Sequence, residues 1–193
     1  MKNGRYQEEG IELWYFNDQL HREDGPACTE PDGSMSWYLK GKLHRLDGPA
    51  IIWGDGSKEW WVDGNRHRIG APAVVNYDGS CRWYLNGGLH RVGGPAIEAA
   101  SGARAWYQDG QLHREDGPAV EGADGTLEWH RHGTRVPDEY EKPKPFNAKK
   151  VADVRSAYDK PIKVVENRIL AIRKKFLEEG DNSTGIKPLK PKW

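Results

Sequence analysis

Tryptophan recurs at positions 14, 37, 60, 83, 106 and 129, and histidine at 21, 44, 67, 90 and 113. Both series advance by 23 residues, and nothing else in the chain restricts its fold as much. A fixed period of this length is the mark of a repeat architecture, in which one small unit cannot bury its own apolar face and gains stability by stacking on the next. Within the period, "LHREDGPA" stands at 20–27 and 112–119, "LHRLDGPA" at 43–50, and looser versions read "RHRIGAPA" at 66–73 and "LHRVGGPA" at 89–96. The sixth Trp opens "WHRHGTRVPD", with Val136 where the next His would fall, so five full units and a degenerate sixth are expected. At the other end "EEGIELW" lines up with "PDGSMSW", which places the first unit near the N-terminus.

Each unit reads as β-structure. "YDGSCRWYLNGGLHR" encloses an aromatic run between Asp78-Gly79 and Asn86-Gly87, residue pairs that tolerate the positive φ angles of tight hairpin turns. The recurring Gly and Pro exclude long helices here. Counting outward from a two-residue Asn86-Gly87 turn puts Tyr84 opposite Leu89, Trp83 opposite His90 and Arg82 opposite Arg91. A two-residue Asp78-Gly79 turn would put Val74 opposite Trp83. Alternation along the strands then assigns Trp, His and the column Cys28, Ile51, Val74, Ile97, Val120 to one face, expected to be the better buried. Tyr and the column Leu20, Leu43, Arg66, Leu89, Leu112 take the other. Whether a unit holds two strands or three stays open at this level.

Composition narrows the classes of function. Lys+Arg and Asp+Glu both total 29, a net charge of +0, so the chain has no overall bias toward nucleic acid or membrane. The charge is unevenly spread: residues 136–193 hold 14 basic and 9 acidic side chains, leaving 15 and 20 for residues 1–135. Cys28 and Cys81 are the only cysteines, which fits a reducing compartment rather than a disulfide framework. "MKNGRYQEEG" has no apolar run, and no stretch is long and apolar enough for a membrane span. The expected location is a cytoplasm, that of a host cell included, or a virion, without export through a signal peptide.

At "WYLNGGLHRVGGPA" the chain resembles a MORN-type repeat, with its aromatic, its N-G turn, a His shortly after and a following Gly. The likeness covers residues 4–135. It departs where that family has His-Gly, since here His-Arg leads into Asp-Gly-Pro-Ala. The more particular W-Y-x-x-G-x-L-H-R-x-D-G-P-A unit is similar to repeats in bacteriophage and giant-virus proteins. The resemblance implies a β-hairpin solenoid, a viral setting and a scaffold that contacts proteins or lipids. The His-Arg departure argues against lipid, and the resemblance supplies no catalytic residues.

The His-Arg pairs do not read as chemistry. Equivalent histidines a full repeat apart sit roughly 10 Å from one another, too far to share a zinc ion whose ligands lie within about 2.1 Å. Each His is instead expected to cap its Trp and bond a backbone carbonyl. "HRLD" matches a kinase triplet in letters only, with no phosphate-binding loop beside it. No catalytic residue, cofactor site or metal site is expected, and the chain reads as a non-enzyme. Interruptions of the pattern are more telling. Gly70 and Gly93 replace the Asp that follows His-Arg elsewhere, and Arg66 replaces a column Leu. Arg66, Arg68, Arg82 and Arg91 are therefore candidates for a basic spot that meets an anion, because like charges opposed across a sheet need neutralising. The competing reading is solvated charge, with Glu59 opposite Arg68.

Beyond the array, residues 136–146 form a proline-stiffened linker. Residues 147–180 carry one or two helices, with Asn147 as an N-cap and an apolar seam of Ile162, Val165, Ile169, Ile172 and Phe176 closed by Gly180. The seam either caps the last open strand or pairs with another helix. Residues 181–193 read as an extended basic arm with Lys187, Lys190, Lys192 and a terminal Trp193. The whole is expected to be mainly β, a single antiparallel sheet of hairpin repeats followed by this helical segment and arm. The function expected is that of a structural or protein-interaction component, phage-encoded and attached to a virion or another assembly. Its partner-binding residues would be Ile169, Ile172, Phe176, Lys190, Lys192 and Trp193. A homo-oligomer is a further expectation. Two alternatives stand beside it: sequestration of an anionic, nucleotide-like ligand, and weak nucleic-acid binding through the basic C-terminal region.

Overall fold

The structure is a computed structural model and describes residues 1–137. The rest of the expected linker, and the segments 147–180 and 181–193 read from the sequence as helical and as an extended arm, lie outside the described residues.

Within 1–137 the chain is built of short antiparallel strands, with no helix among the described residues. A 14-stranded sheet runs from Gly4–Glu8 to Thr134–Val136. Each full unit gives it two strands. Cys28–Thr29 pairs with Met35–Ser36, which pairs with Ile51–Ile52 of the next unit, which pairs with Lys58–Glu59. Four separate two-stranded hairpins accompany the sheet, the first being Tyr38–Leu39 with Lys42–Leu43. The single sheet expected from the sequence is therefore one long sheet with small hairpins beside it. The open choice between two and three strands resolves into two strands in the long sheet and two in a side hairpin. The array Trp stands at the junction: Trp37 joins Met35–Ser36 to Tyr38–Leu39 along one continuous path. Neighbouring hairpins are linked as well, since Gly64 N donates to Leu43 O and Gly87 N to Arg66 O, both at 2.9 Å.

The side hairpin follows the expected register. Tyr84 pairs with Leu89 and Leu85 with Gly88. Asn86 and Gly87 both take positive φ, 49° and 86°, as a two-residue primed turn requires. His90 N donates to Trp83 O at 3.0 Å, so these two residues also face each other.

The other turn does not follow it. Val74 pairs with Arg82, and Trp83 is displaced by one position. The cause is the turn itself. Asn76 N donates to Ser80 O at 2.9 Å and Gly79 N to Asn76 O at 3.0 Å, with Gly79 at φ 85°. The loop thus holds three residues, Tyr77-Asp78-Gly79, ending in a left-handed glycine. Asp78 Oδ1 accepts Ser80 N at 2.8 Å and fixes the shape. A slip of one residue exchanges the two faces of a strand. The Val column consequently shares its face with the Tyr column and lies across the sheet from Trp. The expected opposition of Arg82 and Arg91 is not formed either: Arg82 lies between Val74 and Ile97, and Arg91 N reaches Tyr107 O of the next unit at 3.3 Å.

The interior is made by small residues. Ala27, Ala50, Ala73, Ala96 and Ala119 are each 0% exposed, with Ile51 and Val74 at 7% and 3%. The Trp column, expected in the better-buried face, is only half-buried. Each Ala is clamped between strands, as Ala50 N donates to Glu59 O while Ala50 O accepts Trp37 N, both at 2.8 Å. No larger side chain fits such a place without moving backbone.

Candidate functional site: the arginine–tryptophan stacks

Seven residues after each of Trp14, Trp37, Trp60, Trp83 and Trp106 comes His, and one further Arg. That spacing lets the chain reverse once through the side hairpin and lay the guanidinium back over its own unit's indole. Arg22 lies 4.2 Å from the Trp14 ring centroid, Arg45 4.1 Å from Trp37, Arg68 3.7 Å from Trp60, Arg91 3.7 Å from Trp83 and Arg114 3.8 Å from Trp106. A cation at this range over an indole is attracted by the negative face of the ring. In each stack Nη1 also donates to the carbonyl of the following proline, at 3.3 Å for Pro26 and 3.0 Å for Pro95. The Gly before that Pro lies under the guanidinium. A Cβ at Gly25, Gly48, Gly94 or Gly117 would come within 2.9–3.1 Å of the arginine Cζ. In the third unit that position is Ala71.

Most of these guanidinium groups have a carboxylate partner. Arg22 bonds Asp24 at 2.8 Å, Arg45 bonds Asp47 at 3.0 Å, and Arg114 bonds Asp116 at 2.9 Å and Glu121 at 2.7 Å. Arg91, whose unit lacks the Asp, bonds Glu98 at 2.7 Å. Arg68 differs. Among the described residues no carboxylate lies within ion-pairing distance of it, and burial alone holds its pKa below the ordinary arginine value.

Histidine ties one unit to the next. Its Nδ1 accepts the backbone N–H of the first turn residue in the following hairpin: Lys40 for His21, Asn86 for His67 and Asp109 for His90, at 3.1–3.2 Å. The partner is an N–H where the sequence led to a carbonyl being expected, and at His44 and His90 the same Nδ1 also lies 3.0 Å from a carboxylate oxygen, of Asp63 and Asp109. Serine does the same at the other end of the unit. Buried Ser34, Ser57 and Ser80 accept the N–H of Gly54, Tyr77 and Ala100, at 2.9–3.0 Å.

The four arginines proposed as a basic spot divide between the two sides of the sheet. Arg68 and Arg91 stack on the Trp column. Arg66 lies on the Tyr side, 4.8 Å over Trp61 and 5.5 Å from the Tyr84 centroid, and Arg82 shares that side in the row with Val74. Glu59 neutralises Arg66 rather than Arg68. It accepts Arg66 Nε and Trp61 Nε1, both at 2.9 Å, and is 9% exposed. Ile169, Ile172, Phe176, Lys190, Lys192 and Trp193 lie outside the described residues. Among the described residues no group of three His, Cys, Asp or Glu converges as metal ligands would, and no helix is long and apolar enough to cross a membrane.

The stacks were missed at the level of sequence, although the constant Trp-to-Arg spacing of eight was their signal. No protein-family model matches this chain, and no curated protein sequence matches it.

Proposed function

We propose that this chain is a non-enzymatic protein-interaction component of a larger assembly, in which the repeat array is a rigid platform and residues 147–193 provide attachment. The observation that carries the reading is the use made of the repeated polar residues. Each array His joins its unit to the following hairpin, and each of Arg22, Arg45, Arg68, Arg91 and Arg114 stacks on its own unit's Trp; a group employed identically five times serves architecture. The resemblance of the unit to phage and giant-virus repeats supports placing the assembly in or on a virion. The test is replacement of Ile169, Ile172 and Phe176 by Asp in the full chain. The variant is expected to keep the far-UV circular dichroism of the array and to sediment without the assembly. Sedimentation unchanged by the substitutions rejects attachment through the seam.

A second reading, sequestration of an anionic nucleotide-like ligand, is favoured by one observation: Arg68 over Trp60 has no carboxylate. A thermal-shift panel of nucleotides tests it, because a specific ligand stabilises by mass action.

A further inference from the structure

The units can be compared with one another as five copies of one site. The carboxylates within 3.0 Å of the stacked arginines come from two places in the unit. One is two residues after the Arg, as in Asp24, Asp47 and Asp116. The other is seven residues after it, as in Glu98 and Glu121, whose side chains reach Arg91 and Arg114 at 2.7 Å. In the third unit both places are empty of charge, being Gly70 and Val75. Val75 is half-buried and pairs directly with Lys58, which is exposed. Lys58 likewise has no carboxylate in range among the described residues. The third unit thus presents a guanidinium, already fixed over Trp60 and bonded to Pro72 O at 3.1 Å, and an ammonium paired across the strands with the apolar Val75.

We propose that Arg68 and Lys58, on the Trp60 side of the sheet, receive an Asp or Glu carboxylate from a partner protein, at the place where Glu98 and Glu121 serve their own units. The chemistry is read from those two copies. What this pocket takes elsewhere in the array is a single carboxylate, and Lys58 stands at the pairing position from which Arg104 supplies a second positive charge to Glu121, at 3.8 Å. Immobilisation of Arg68 by its ring and carbonyl contacts lowers the ordering cost of binding, and a charge-assisted bond to a guanidinium is among the stronger polar contacts. The proposal rests on the interaction-platform reading and names the partner's contribution to it.

The experiment uses the full chain and a fluorescein-labelled octapeptide of alternating Glu and Ala, followed by fluorescence anisotropy at low and moderate salt. The wild type is expected to bind in a salt-sensitive manner. Arg68→Gln should weaken binding at least tenfold. So should Val75→Glu, which leaves Arg68 in place, copies the arrangement of Arg91 with Glu98, and guards against misfolding of the first variant. Equal affinity of all three proteins, or no binding by the wild type, overturns the site. Adenosine monophosphate bound in an Arg68-dependent way while the peptide is not also overturns it, in favour of nucleotide sequestration. The seam substitutions at 169, 172 and 176 leave residues 58, 68 and 75 unchanged, so failure here and failure of the platform reading are read from different proteins.

Discussion

The rings of His113 and His132 meet at a tilt of 41° with centroids 4.3 Å apart, and Nδ1 of His113 accepts the backbone N–H of His132 at 3.2 Å. The pair closes the fifth unit onto the last hairpin. Burial first, then the charges of His132 and Arg131, push the His113 pKa below the ordinary histidine value. The unfolded chain therefore binds a proton more readily than the folded one. Stability from this contact is complete above about pH 6.5 and declines as pH falls from there toward the folded pKa. Urea midpoints measured at pH 7.5 and pH 5.5 should show the lower value in acid, and His113→Gln should reduce the difference.

Gly48 and Arg45 should be energetically coupled. A Cβ at Gly48 would stand 3.0 Å from Arg45 Cζ, and Arg45 is held in place by Asp47. Gly48→Ala is expected to cost about 1 kcal/mol in the wild type and much less in an Arg45→Ala background. A double-mutant cycle by urea unfolding measures the coupling. The third unit carries Ala71 beside an arginine that lacks the Asp anchor.

Ser57→Ala should leave the Tyr77 N–H without its acceptor at a place where Ser57 itself is 7% exposed. The expected loss is roughly 1–3 kcal/mol, read from the shift in thermal midpoint. Ala at the equivalent position of the fifth unit, Ala103, marks the corresponding joint there as one built without this bond.

Ala73→Leu places three extra heavy atoms at a position with 0% exposure, clamped between Trp60 N and Arg82 O. Overpacking of this kind typically costs about 1–3 kcal/mol. Loss of cooperativity in the chemical unfolding curve, beyond a lowered midpoint, would show that the two halves of the array had come apart.

The sequence disclosed the period, the strand class and the side hairpin, because Asn86-Gly87 has one common use between strands and the count outward from it is unambiguous. Asp78-Gly79 has two uses. It can be a two-residue turn or the end of a three-residue loop with a left-handed glycine, and the two differ by one residue. In a structure of period two, that single residue moved Val74 away from Trp83 and onto the opposite face. The same ambiguity hid the division of Arg66 and Arg68, neighbours in the candidate spot but on opposite sides of the sheet. The alanine column was unreadable for another reason. Ala73 is buried by its place between strands, and side-chain size gives no hint of that place. The stacking of Arg on Trp depended on where the chain turns back at Gly-Pro, a tertiary fact.

The bonds of His Nδ1 and Ser Oγ that join one unit to the next span 19 or 20 residues and stop there. Such bonding has no memory of how many units precede or follow, so copying or excising a 23-residue block leaves each joint as it was. Counterparts in successive units are two strand spacings apart, roughly 10 Å. The array is in this sense a ruler whose length evolution can adjust in fixed increments, by gene duplication alone, without redesigning any contact.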